Sequence, residues 1–196
     1  MNLAIIKYNA GNIQSVLNAL ERLGVRGEVT DDPDKIATAD KVIFPGVGEA
    51  STAMTSIKQN KLDGVIKNLK QPVLGICAGM QLLCNHSEEN DTQCLGIIPI
   101  MVKKFSSSNG LKVPQVGWNT IYNLRSSLFQ NIDNNSYIYN VHSYYVADSS
   151  YTIATCNYGI EYAAAVRKDN FYGVQFHAEK SAQTGDKIIQ NFLELI

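Results

Sequence analysis

Short apolar runs that end in turns and pass into helices constrain the fold of this chain more than any other feature. Leu3 to Tyr8 reads as a strand, and Asn12 to Leu23 as a helix, because Ile13, Val16, Leu17 and Leu20 fall on one face. Asn12 is placed to cap that helix and Gly24 to stop it. Lys41 to Phe44 is a second buried strand, ended by Pro45-Gly46-Val47-Gly48, and a helical stretch follows through the fifties and sixties. Pro72 to Ile76 is another apolar strand, running directly into a helix from Ala78 to about Asn85. This alternation predicts an α/β fold, with a mostly parallel central sheet and helices on both faces. The second half reads differently. Tyr137 to Val146, Tyr151 to Asn157, Tyr162 to Arg167 and Phe171 to Phe176 are closely spaced strand candidates, joined by polar turns such as Lys168-Asp169-Asn170. They predict an antiparallel extension. A last helix, about Thr184 to Ile196, has an apolar face of Ile188, Ile189, Phe192 and Leu193.

No repeat, low-complexity tract or long linker interrupts residues 1–196, which read as one domain. With 45% hydrophobic residues, 18% charged residues and a net charge of −1, the chain has no bulk attraction for nucleic-acid phosphates or an anionic membrane. Met1 to Tyr8 lacks the basic stretch and long apolar run of a signal peptide, and no apolar segment nears the roughly 20 residues of a membrane span. A cytoplasmic protein is expected. The cysteines Cys77, Cys84, Cys94 and Cys156 include no C-x-x-C pair, so neither a zinc site nor a redox motif is expected. In a reducing compartment they are thiols, one available as a nucleophile and three as buried small hydrophobes.

The strongest local signal is Gly75-Ile76-Cys77-Ala78-Gly79, between a buried strand and a helix. A nucleophile on such a turn needs small neighbours, because the backbone bends tightly and the side chain must project clear of the sheet. The helix that follows presents N–H groups and its positive end to the sulfur, and the N–H of Ala78 points where an oxyanion would form. The plainer reading is a buried cysteine beside two packing glycines. A cysteine nucleophile needs a base and an orienter. Of His86, His142 and His177, the last ends the run Gly173-Val174-Gln175-Phe176-His177, at a strand's carboxyl end, where open α/β sheets place their sites. Glu179 follows two residues later and can fix the imidazole tautomer. His142 has no acidic neighbour and suits a structural or substrate-lining role. His86 is read as lying near the end of the helix after Cys77, favouring its C-terminus.

Pro45-Gly46-Val47-Gly48 lacks the third glycine of a dinucleotide loop, since Ser51 occupies that position, and no Walker lysine follows. It is better read as a flexible segment able to give a second oxyanion N–H. Glu88-Glu89 is by default a solvated face; one of the two could bind a substrate ammonium. No metal or cofactor is called for.

These residues resemble class I glutamine amidotransferases, whose central sheet is flavodoxin-like. The elbow followed by Met80-Gln81-Leu82-Leu83, and Gly-Val-Gln-Phe-His-x-Glu, carry the resemblance. Gly11-Asn12-Ile13-Gln14-Ser15-Val16, the Pro-Gly-Val-Gly loop, Val116-Gly117-Trp118-Asn119 and Val141-His142-Ser143-Tyr144-Tyr145 narrow it to the glutaminase subunits of histidine biosynthesis. The resemblance implies a triad of Cys77, His177 and Glu179. It implies a glutamine pocket lined by Gly46, Val47, Gly48, Gln81, Glu89, Ser143 and Tyr144, with Ala78 giving the oxyanion N–H. It also implies a heterodimer with a (β/α)8-barrel cyclase, docked near Asn12, Trp118, Tyr139 and Lys180. Three positions depart from the family pattern: Ala178 where Pro is frequent, Ala78 where Leu is common, and Gln115 where His is common. The first bears on the His–Glu geometry and the third on packing or partner contact. The competing readings are a glutaminase serving another ammonia acceptor, a stand-alone cysteine hydrolase such as a γ-glutamyl hydrolase, and a non-catalytic nucleotide-binding module.

Overall fold

A computed structural model describes residues 1–9, 13–107 and 110–196. The first half builds the parallel sheet from β1 (Leu3–Ile6), β2 (Glu28–Thr30), β3 (Lys41–Phe44) and β4 (Val73–Ile76). The helices α1 (Ile13–Arg22), α2 (Pro33–Thr38), α3 (Ala50–Gln59) and α4 (Leu62–Asn68) lie between these strands in the chain, and α5 (Ala78–Leu83) follows β4. The chain then forms β5 (Cys84–Ser87), β6 (Thr92–Gln93), β7 (Ile98–Lys104), β8 (Gln115–Ile121), β9 (Ser136–His142), β10 (Tyr144–Val146), β11 (Thr152–Asn157), β12 (Glu161–Lys168) and β13 (Phe171–Val174), and ends in α6 (Ala182–Leu195).

Among the described residues the main sheet runs β2-β1-β3-β4-β13-β12-β10-β7-β5-β6, with β11 paired to β12. From β2 to β13 every pairing is parallel; β12 then turns antiparallel to β13, and β10 and β7 continue the antiparallel part. The α/β class with an antiparallel extension is what the sequence patterning predicts. Side chains alternate across the strands into two cores. Leu3, Ile5, Ile43, Leu74 and Ile76 meet Val16 and Leu20 of α1 and Ile188, Ile189 and Phe192 of α6. Ala4, Ile6, Val42, Phe44 and Val73 meet Ile36, Met54, Ile57, Leu62 and Ile66 on the other face. A strand buried on both sides must be apolar at every position, which is why these runs show no alternation. Each such Leu or Ile contributes roughly 1.5–3 kcal/mol on burial. Lys41 ties the sheet to α6 by donating to the carbonyls of Phe192, Leu193 and Ile196 at 2.8, 2.9 and 3.0 Å, using carbonyls that a helix end leaves free.

Several elements differ from the sequence expectation. The helix after Cys77 stops at Leu83, and Cys84–Ser87 is a strand, parallel to β7. His86 therefore does not serve a helix C-terminus; its Nε2 lies 2.9 Å from Asp91. The segment Tyr137 to Val146 is two strands in different sheets: β9 pairs with β8 in a separate two-stranded sheet, and β10 joins the main one. The expected cap Asn12 lies outside the described residues. Among the described residues, no helix is long and apolar enough to cross a membrane.

Candidate active site

β4 and β13 lie side by side and parallel, with Ile76 opposite Val174, so the residues leaving their carboxyl ends arrive together. Cys77 leaves β4 and donates its N–H to Val174 at 2.8 Å. Its backbone, at φ 53° and ψ −112°, is in a region L-residues avoid, at a cost of order 1–3 kcal/mol. That bend is held by contact. A Cβ on Gly79 would stand 1.9 Å from the Phe44 carbonyl oxygen, and one on Gly46 2.2 Å from the Gly79 nitrogen. Small residues at Gly46 and Gly79 therefore let the Pro45–Gly48 turn press against the first turn of α5. Tyr8 holds the same turn from below, its hydroxyl donating to the Pro45 carbonyl at 2.6 Å.

His177 follows β13. Its Nδ1 is 2.8 Å from Glu179 Oε1, and both side chains are buried. With Nδ1 committed, Nε2 is the ring nitrogen left for the cavity that His177 and Cys77 both line. Burial opposes charge on this imidazole, but hydrogen bonds to Cys77 and Glu179 and their charges outweigh it, so His177 is held above its ordinary value. Ala178, fully buried between His177 and Glu179, leaves this contact in place.

A cavity of about 310 Å³ opens beside the sulfur. Val47, Gly48, Cys77, Ala78, Gln81, Glu89, Ser143, Tyr144 and His177 all line it, so the structure brings most of the sequence-selected residues to one place. Gly46 does not line it; it is spent on the contact with Gly79. Gly48 holds φ 93°, a conformation that side chains rarely adopt, with open space at the position of a Cβ. Glu89 is half-buried. One carboxylate oxygen accepts from the Ala50 N–H at 2.7 Å, at the start of α3, and burial raises its pKa. Pro114 and Val141 line the cavity too, and Val141 offers its carbonyl to the Cys77 thiol at 3.9 Å. Sequence reasoning missed both, since a backbone carbonyl leaves no trace in residue type. It also missed Gln175, a fully buried amide beside the sulfur. The signal was present: a glutamine between Val174 and Phe176, in an otherwise apolar strand end.

Gln115 is buried and accepts from the Tyr162 hydroxyl at 3.1 Å, so this departure acts on packing and not on an exposed contact. His142 lines the cavity and is anchored through Nδ1 to the Tyr144 carbonyl at 2.8 Å. Burial pushes its pKa down from 6.5 to about 4, with the Tyr144 bond opposing and the His177 charge assisting. A histidine neutral in the fold takes up a proton on unfolding once the pH drops below its ordinary value. Its contribution is complete above about 6.5 and is lost as pH falls toward 4, by roughly 3 kcal/mol at most. His177 has the opposite sign: its contribution is present below about 6.5 and lost as pH rises through its elevated value. The denaturation midpoints of the native protein and of His142→Gln should therefore converge or cross on acidification between pH 6.5 and 4. A difference that stays constant across that window would refute a buried neutral His142.

The antiparallel pair β8–β9 carries a row of outward apolar side chains. Val116 faces Val141, Trp118 faces Tyr139 and Thr120 faces Tyr137. Trp118 is 54% exposed and Tyr137 63%, and the Trp118 and Tyr139 rings meet edge-on at 5.7 Å. Lys180 is exposed nearby in sequence to Glu179, and the remaining interface candidate, Asn12, lies outside the described residues.

The family Glutamine amidotransferase class-I matches residues 4–195. The chain belongs to the class-I glutamine amidotransferases. Among its relatives, the imidazole glycerol phosphate synthase subunit HisH of Bacteroides fragilis is 54% identical over 196 residues, covering 100% of both chains. The protein of that name from Escherichia coli is 47% identical over 197 residues, again covering 100% of each. A glutamine amidotransferase crystal structure superposes with a TM-score of 0.76 at 16% identity, covering 99% of this chain and 98% of that one. One from Thermotoga maritima gives 0.67 at 16%, covering 98% and 82%. At those identities the structures speak for the fold of this class-I amidotransferase.

Proposed function

We propose that this chain is the glutaminase subunit of an imidazole glycerol phosphate synthase, releasing ammonia from glutamine for a (β/α)8-barrel cyclase in histidine biosynthesis. The observation that carries the proposal is that Cys77 and His177 line one small cavity, with Glu179 2.8 Å from the His177 Nδ1. The Cys77 sulfur, as thiolate, adds to the side-chain carbonyl carbon of glutamine. The oxyanion is held by the Ala78 N–H and by one from the Val47–Gly48 segment, a donor of this kind being worth roughly 3 kcal/mol. His177 gives its proton to the departing nitrogen, the C–N bond breaks and ammonia leaves. The thioester then takes a water deprotonated by His177, the C–S bond breaks, and glutamate leaves. Glu179 keeps His177 in the tautomer that faces the sulfur. Ammonia passes to the cyclase, whose products are imidazole glycerol phosphate and an aminoimidazole carboxamide ribotide. Such a heterodimer works in the cytoplasm.

The apolar row on β8–β9 supports docking of the partner there, because exposed patches of this kind are costly unless covered. The same strand touches the site from behind: the His177 N–H donates to the Tyr139 carbonyl at 2.9 Å, and the Val141 carbonyl faces Cys77. A partner pressing on Tyr139 and Val141 thus acts one peptide away from base and nucleophile. Gly48 gives the oxyanion segment freedom to respond.

The test is glutamine hydrolysis by the purified chain, with and without the cyclase. Low turnover alone and a large increase in the complex are expected; equal rates would reject gating by the partner, and absence of turnover in the intact complex would reject the glutaminase itself. Trp118→Ala should weaken cyclase binding by about 2 kcal/mol, near 30-fold, as loss of a central aromatic anchor does. Calorimetric titration showing native affinity for that variant would move the interface elsewhere.

A further inference from the structure

Gln175 is fully buried at the end of β13, beside the nucleophile, and the mechanism above gives it no task. Its surroundings determine which way its amide points. The Tyr144 carbonyl can only accept, so the Gln81 amide must turn its nitrogen toward it, at 3.0 Å. The same nitrogen lies 2.9 Å from Gln175 Oε1. An amide nitrogen carries two hydrogens, and both are now used. What Gln81 has left for the cavity it lines is its oxygen. Gln175, with its oxygen occupied by Gln81, must turn its nitrogen the other way, and that nitrogen stands 3.9 Å from Cys77 Sγ. One backbone carbonyl thus sets two amides in sequence and ends with a donor aimed at the sulfur.

We propose that Gln175 is a positioning residue for glutamine hydrolysis, fixing Gln81 so that it offers only an acceptor to the substrate and holding an N–H against the Cys77 sulfur. The inference rests on the glutaminase reading. It adds a specificity rule: the substrate group placed against Gln81 is a donor, either an ammonium or a carboxamide NH2. A carboxylate oxygen there would meet the Gln81 oxygen and be rejected, leaving both without partners. It also adds a link between pocket and nucleophile. A donor aimed at the sulfur suits the thiolate that attacks glutamine, and it stands beside the Val141 carbonyl that accepts from the thiol. Because the chain begins at Tyr144 in the cavity wall, a shift of that wall on substrate entry reaches Cys77 through two amides.

The test uses the complete complex with its cyclase, comparing native protein with Gln175→Met and Gln175→Glu. Methionine fills the space but neither accepts from Gln81 nor donates to sulfur, so kcat should fall and KM rise, each by about tenfold. Glutamate separates the two duties. While neutral, its carboxyl keeps an acceptor for Gln81 and an O–H for the sulfur; once ionised, it sets a negative charge against the nucleophile. The ratio of Gln175→Glu to native rates should therefore rise as pH falls, while the Gln175→Met ratio stays flat. Values for Gln175→Met within twofold of native, or a flat Gln175→Glu ratio, would overturn the proposal. Should a variant not assemble, the unmutated chain answers: with glutamine labelled by 15N, the side-chain amide signal of Gln175 should titrate with the same midpoint as the alkylation of Cys77 by iodoacetamide. An amide signal indifferent to that titration would also overturn it. Failure of the native complex to hydrolyse glutamine would instead sink the glutaminase reading, since the amide titration does not involve glutamine.

Discussion

Replacing Cys77 with alanine should abolish glutamine-dependent synthesis in the complex, by a factor of about 10⁴ or more, while synthesis from added ammonia continues. The size follows from the arrangement. In the proposed mechanism the sulfur makes the bond that splits amide hydrolysis into two easier steps, and Cys77 is the one cysteine among the described residues that line the cavity. Cys84, Cys94 and Cys156 are buried elsewhere, and burial pushes their thiols up, to about 11 for Cys94 and Cys156 and higher for Cys84, so none can substitute. The survival of ammonia-dependent synthesis separates chemistry from assembly. It requires only that the variant still docks on the cyclase, and the apolar row on β8–β9 is untouched by the change. Parallel assays with glutamine and with ammonium salt decide it. Loss of both activities in an intact complex would mean that Cys77 holds structure and not the reaction.

Gly79→Ala should cost about 3 kcal/mol or more of stability and most of the glutaminase activity with it. The added Cβ would arrive 1.9 Å from the Phe44 carbonyl oxygen, a backbone atom in a central strand that cannot rotate away. Relief requires α5 to move off β3, and that motion carries Cys77 and the Ala78 N–H with it. Thermal melting should drop by roughly 6–12 °C. Gly64→Ala is the control. It lies inside α4 with nothing near its Cβ position, and alanine there should be neutral or stabilising by about 0.5–1 kcal/mol. Equal melting of the two variants would show that the close approach at Gly79 does not constrain the fold.

Much of the molecule was legible before any coordinate. The runs Leu3–Ile6 and Val73–Ile76, and Lys41–Phe44 after its first residue, are buried on both faces, and such strands announce themselves by being apolar. The elbow was legible because a bend like that at Cys77 tolerates only small neighbours, and the Gly-x-Cys-x-Gly spacing supplies them. Less was legible where residue type is ambiguous. Cys84-Asn85-His86-Ser87 continues a helical pattern in sequence, yet the parallel partner β7, itself unrecognised, draws it into a strand. Tyr137 to Val146 looks like one long strand, and its division at Ser143 follows from the two different sheets that claim its halves. Glu88-Glu89 looks like a solvated pair, and Glu88 is exposed, but Glu89 is half-buried and accepts from the Ala50 N–H.

The sequence by itself determined the α/β class, the strand-to-helix elbow at Cys77 and the pairing of His177 with an acid two residues on, because each depends on local periodicity or short spacing. Tertiary structure alone decided what meets across the chain. It placed Gly46 behind the elbow and not in the cavity, the Val141 carbonyl opposite the sulfur, and Gln175 and Gln81 in one amide chain beneath Tyr144. The physical reason is that hydrogen-bond partners 60 to 100 residues apart, such as Gln81 with Tyr144 and Gln175 with Cys77, are chosen by strand register. Register is fixed by the packing of whole sheet faces, which no short stretch of sequence specifies.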